Sequence, residues 1–206
     1  MKNQKYPLIL SFYTIAILVI SFCLAVDKAT YCLEISPILL IFPILFFTYD
    51  KFKFTQLVYV LLGVHFLIMC IGGIYTYAEV PLGFWLQDWF GFTRNNYDKI
   101  GHFAQGFVPA ILIREILLRC SPLQRGKWLA FITVAICLAL SAIYELFEWW
   151  VCLLKGDSAE AFLGTQGYEW DAQSDIFLCL IGATIALLTL SKLHNKILEK
   201  NNFLKI

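Results

Sequence analysis

Long apolar runs, broken by short polar turns, dominate the pattern along this chain. The runs fall at about 7–26, 34–49, 54–75, 100–118, 128–153 and 175–191. Runs of about 18 or more apolar residues are the signature of helices that cross a bilayer. The second run is short, and Pro37 and Pro43 inside it predict a bend or one helix end. The first run follows Lys2 and Lys5 as a signal peptide would, but it is longer than an ordinary signal core and no small-x-small cleavage site follows. It reads as an uncleaved span. The pattern therefore predicts an all-α, polytopic transmembrane bundle of six spans in a single membrane domain covering 1–206.

The connections differ in kind. The turn at 49–53 and the link at 120–127 are short and basic. The stretch 76–99 is long and aromatic, and Trp85, Trp89 and Phe90 in it predict a segment lying in the headgroup region. The stretch 155–174 is acidic and contains glycine. With the N-terminus inside, the inner side holds twelve basic residues, Lys2, Lys5, Lys51, Lys53, Arg114, Arg119, Arg125, Lys127, Lys192, Lys196, Lys200 and Lys205, against four outside, Lys28, Arg94, Lys99 and Lys155. That imbalance follows the positive-inside rule and puts both termini in the cytoplasm.

Composition agrees with the membrane reading: 60% of residues are hydrophobic and 15% charged, too few charges for the surface of a soluble domain. No basic block is present, which argues against nucleic acid as a partner. The seven cysteines lack Cys-x-x-Cys spacing and mostly lie in apolar runs, so they read as small packing residues, with Cys32 set apart in a polar-flanked loop.

Against this apolar background the ionisable residues stand out, because each costs roughly 2.5–3.5 kcal/mol to insert. Asp98 and His102 are four apart, Glu145 and Glu148 three apart, and Asp171 and Asp175 four apart, so each pair shares one helix face. The topology brings all three pairs to the outer half of the bundle, with His65 about 15 Å down. Clustered carboxylates need compensation from a divalent cation or from shared protons. His65, Asp98, His102, Glu145, Glu148, Asp171 and Asp175 are thus the candidate metal ligands, and Glu145, His102 and Asp98 the candidate catalytic groups. With the histidines as ligands the set suits zinc, manganese or iron; carboxylates alone suit magnesium or calcium. Arg94 and Lys99 are placed to receive an anionic group, and Arg114 to snorkel at the inner end. No P-loop, dinucleotide fingerprint or serine elbow occurs, so no nucleotide cofactor is indicated.

The segments YTYAEVPLG at 75–83, RNNYDKIGHFAQGFVPA at 94–110, YELFEWW at 144–150 and GTQGYEWDAQSD at 164–175 resemble the YjdF-type family of small bacterial inner-membrane proteins. The resemblance covers most of the chain after His65. Its pattern falls on His65, Tyr75, Tyr77, Arg94, Asp98, His102, Gln105, Glu145, Glu148, Gln166, Trp170, Asp171, Gln173 and Asp175. It implies a multi-pass inner-membrane protein and no particular reaction. Three functions stay open at this level. One is a metal-dependent enzyme acting at the periplasmic face on an anionic or lipid-linked substrate. Another is a small proton- or metal-coupled transporter. The third is a non-catalytic membrane protein.

Overall fold

Within hydrocarbon a backbone must satisfy its own hydrogen bonds, and an apolar run does so most simply as a helix. The computed structural model describes residues 5–155 and 166–203, and every regular element among them is a helix. These are α1 (Lys5–Leu24), α2 (Lys28–Glu34), α3 (Ser36–Thr48), α4 (Gln56–Ile74), α5 (Pro81–Phe90), α6 (Tyr97–Cys120), α7 (Lys127–Lys155) and α8 (Asp171–Lys200). Four of them, α1, α4, α7 and α8, are long and apolar enough to cross a membrane, or five spans are present if α2 and α3 together form one. α6 is also long, at 24 residues, but charged and amide side chains interrupt its apolar runs.

The second apolar run departs from the single short helix expected over 34–49. Helix begins earlier, at Lys28, and a 52° bend separates α2 from α3. Pro37 supplies the cause: it has no N–H for the Leu33 carbonyl, and its ring clashes with a continuous helix there. Asp27 starts α2 by accepting hydrogen bonds from the Ala29 and Thr30 backbone N–H groups at 2.8 and 3.3 Å. The ammonium of Lys28 donates to the Phe22, Cys23 and Ala25 carbonyls and so closes the end of α1.

The outside of the bundle is apolar. Phe12 is 75% exposed, Phe47 80% and Leu154 87%, a surface that water would not tolerate and lipid does. α5, in the aromatic connection, exposes Trp85, Trp89 and Phe90. The inside is built from small residues: Ala110, Cys137, Cys179, Ala183 and Ala186 are fully buried. Of the seven cysteines only Cys70, Cys137 and Cys179 are buried packing groups. Cys23, Cys32 and Cys120 are exposed, so the reading of cysteine as core filler holds for part of the set.

α6 is the axis of the fold and packs on α4, α7 and α8. Its C-terminal half carries a buried ionic lock. The Glu115 carboxylate accepts from the Thr55 N–H at 3.0 Å, the Thr55 hydroxyl at 2.7 Å and Arg119 at 2.7 Å. His194 Nε2 lies 3.0 Å away on the other side. Arg114 does not snorkel. It is buried, with its guanidinium 3.0 Å from His194 Nδ1 and donating to the Asn195 side-chain carbonyl at 2.6 Å. A charge so enclosed is tolerable only when paired, and here α4, α6 and α8 each contribute to the pairing.

Candidate functional site

The site at the N-terminal ends of α6 and α8 is positioned by a close crossing of the two helices. A Cβ on Gly106 would fall 2.0 Å from the Cys179 carbonyl oxygen, and one on Gly182 would fall 2.1 Å from the Phe103 carbonyl oxygen. Only glycine lets the two backbones come so near. His102 lies one turn before Gly106, and Asp175 lies one turn before Cys179, so the crossing delivers both side chains to the same level.

At that level Asp98, His102 and Asp175 each offer one donor atom, all within 4.8 Å of one another. His102 Nε2 is 3.2 Å from Asp98 Oδ1, and His102 Nδ1 is 3.6 Å from Glu145 Oε1 on α7. Both of those last two atoms are buried and unmatched by any hydrogen bond. Asp171 joins through basic groups. The Lys99 ammonium donates to Asp171 and to Asp175 at 2.6 Å each, and stands 3.8 Å from Asp98. Arg94 also donates to Asp171, and its guanidinium lies over the Tyr168 ring with 4.8 Å to the centroid.

Arg94 and Lys99 are therefore paired within the protein, and both also line a cavity of about 810 Å³ with Gln166 and Tyr168. They also supply part of the compensation that the carboxylates need, beside any cation or shared protons.

The remaining candidates face another way. Glu148 and His65 line a cleft of about 500 Å³ bounded by α2, α3, α4, α6 and α7, and Asp98 and His102 stand in its wall. Glu34, which is not among the candidates read from the sequence, is 4% exposed and lines the same cleft. It was missed because the span was drawn from residue 34 onward, which made Glu34 a boundary residue. Tyr77 and Tyr144 also line it. Burial, and after it the Glu34 carboxylate, pushes the Tyr77 phenol well above its ordinary value, so that this hydroxyl stays a donor. Gln166 has a structural duty: its side-chain amide bonds both the N–H and the carbonyl of buried Asn95, at 3.1 and 2.8 Å, which fixes the approach to α6.

A bundle of apolar-coated helices with a polar centre among them is a multi-pass membrane protein. The comparisons with known proteins give it a family. Residues 6–196 match the family described as "Predicted membrane protein (DUF2238)", and the chain belongs to that family. It is 43% identical over 203 residues to Inner membrane protein YjdF of Escherichia coli (strain K12), covering 97% of each chain. No solved structure matches it. The protein is accordingly a bacterial inner-membrane protein, as the motifs in its second half implied.

Proposed function

We propose that the chain crosses the inner membrane six times with both termini in the cytoplasm, and that Asp98, His102 and Asp175 hold a divalent cation in the outer half of the bundle. The bent α2–α3 pair and α6 are the spans added to the four apolar helices, and the twelve-to-four distribution of basic residues supports the orientation. The observation that carries the cation is the meeting of three donor atoms, from two helices, within 4.8 Å. One imidazole with two carboxylates suits zinc, manganese or iron. Such an ion would polarise a carbonyl or phosphoryl oxygen or lower the pKa of water. Glu145, 3.6 Å from His102 and with its nearer oxygen unmatched, is the base within reach of that position. The activity proposed is hydrolase or transferase chemistry on a lipid-linked substrate at the outer face. Elemental analysis of purified protein tests the cation: a near-stoichiometric metal that is lost in His102→Ala and Asp175→Asn is expected, and the same metal content in all three overturns it.

One observation favours a second reading, proton transfer without metal. Lys99 already offsets Asp171 and Asp175, and His102 stands between Asp98 and Glu145 as a relay would. Metal-free protein that acidifies or alkalinises the lumen of proteoliposomes, in a His102-dependent way, would select it.

A further inference from the structure

The cleft that holds Glu34, His65 and Glu148 has two chemically distinct ends. Its outer end carries the carboxylates of Glu34, Asp98 and Glu148, with Tyr77 and Tyr144 beside them. Glu34 is 4% and Glu148 8% exposed, yet no hydrogen-bond donor among the described residues meets either carboxylate. Asp98, by contrast, is matched by His102 and Lys99. The rest of the wall is mainly apolar, with Leu40 and Ile41 of α3, Pro109 of α6, and Leu140 and Ile143 of α7, and is interrupted by Ser36, His65 and Gln105.

The cleft opens sideways. Leu40, Leu140 and Ile143 line it and are also well exposed on the outside of the bundle, so the slot between α3 and α7 gives onto lipid. From Glu148 to Leu140 the wall runs about 12 Å along α7. Pro109 adds a polar point on the way, since it leaves the Gln105 carbonyl without a helical donor.

We propose that this cleft binds a single-chain amphiphile with an ammonium head. The head sits between Glu34 and Glu148, and its chain runs along Leu40, Leu140 and Ile143. Two little-exposed carboxylates that face the cleft call for a cation that brings its own N–H groups. The tyrosine rings favour an alkylammonium over a hydrated metal ion. A volume of about 500 Å³ is within the range of small-molecule sites, and the apolar walls exclude a ligand that lacks a chain. The inference deepens the proposed function by giving the lipid-linked substrate a chemical class. It rests on that reading for the reaction but not for the binding, because Asp175 does not line the cleft.

The test is binding of radiolabelled dodecylamine to the full chain in phosphatidylcholine nanodiscs, with empty discs as the blank and dodecanol and dodecanoic acid as competitors. Saturable binding of one dodecylamine per chain is expected, with each competitor at least about tenfold weaker, one decade being 1.4 kcal/mol. Glu34→Gln and Glu148→Gln should each weaken it about tenfold or more. Ile143→Trp, which fills the apolar half and leaves the carboxylates alone, should abolish it. Asp175→Asn should bind dodecylamine normally while losing the cation, so that failure of one proposal is separable from failure of the other. No saturable binding, equal competition by dodecanol, or preference for dodecanoic acid overturns the proposal. If Glu148→Gln is not monodisperse on gel filtration, Glu34→Gln and Ile143→Trp decide the matter.

Discussion

Gly106 faces the carbonyl of Cys179 so closely that a Cβ on it would fall 2.0 Å from the oxygen, and Gly182 meets the Phe103 carbonyl in the same way. The site depends on this contact. It sets the register of α6 against α8, and through it the approach of His102 to Asp175.

Gly106→Val should therefore cost about 3 kcal/mol or more, beyond ordinary overpacking, because the atom in the way is backbone and has no rotamer to change. Gly126→Ser, where nothing lies within 4 Å of an added Cβ and serine suits the start of α7, should not fall more than about 0.5 kcal/mol below wild type. Thermal unfolding of detergent-purified protein measures both. Equal effects would mean that the crossing is not a point of close packing.

Lys99 is the second dependency, since its ammonium is shared by Asp171 and Asp175 at 2.6 Å. Lys99→Met leaves two enclosed carboxylates with Arg94 as their remaining basic partner on that side. A loss of about 3 kcal/mol is expected, the lower part of the range for breaking a buried pair, because the Lys99 side chain is 16% exposed. Adding Asp175→Asn to Lys99→Met should recover part of it, and a double-mutant cycle reads the coupling. Strict additivity would show that the pair is not coupled.

The membrane class, the apolar helices and the convergence of polar residues from α6, α7 and α8 were all legible in the sequence. Periodicity and insertion cost act locally, and both could be evaluated along one chain. What was not legible depended on partners far away in the chain. Lys99 reads from sequence as a receiver of an anionic group because nothing local to it reveals Asp171 and Asp175, more than 70 residues on. Arg114 was read as snorkelling because its partner His194 lies 80 residues downstream. Glu34 was lost for a different reason: hydropathy marks where an apolar run begins, not where a helix begins, and α2 precedes the run. Glu145 and Glu148 do share a face, about 60° apart round α7, and that offset is enough to set Glu145 beside His102 and Glu148 in the wall of the cleft.

Topology can be checked directly with reporter fusions. Alkaline phosphatase joined after Lys155 should be active, and the same reporter after Arg125 or Lys200 should be silent, as the distribution of basic residues requires. If α2 and α3 form a re-entrant hairpin instead of a bent span, the number of spans becomes odd and the fusions at Arg125 and Lys200 would be active when the N-terminus is inside. Activity at Lys200 thus removes the six-span arrangement, and a fusion after Lys53 then tells whether the α2–α3 pair is the cause.

Glu145 gives the sharpest test of the centre itself. Its Oε1 and the Nδ1 of His102 are both buried, both without a hydrogen bond, and 3.6 Å apart, a little too far to satisfy each other. His102 presents its other nitrogen to Asp98 at 3.2 Å. If Nε2 turns to a cation together with Asp98 and Asp175, Nδ1 must carry a proton, and Glu145 is the acceptor that holds that tautomer. Carboxylate partners of a ligating histidine typically contribute 10- to 100-fold to metal affinity, so Glu145→Gln should weaken metal binding by about that factor without abolishing it. His102→Ala should abolish it, and Glu169→Gln, on the exposed approach to α8, should leave it unchanged. Competition against a chromophoric chelator at fixed pH gives the three affinities. Unchanged affinity in Glu145→Gln would separate Glu145 from the centre, and a loss as complete as in His102→Ala would make it a direct ligand in place of Asp98 or Asp175.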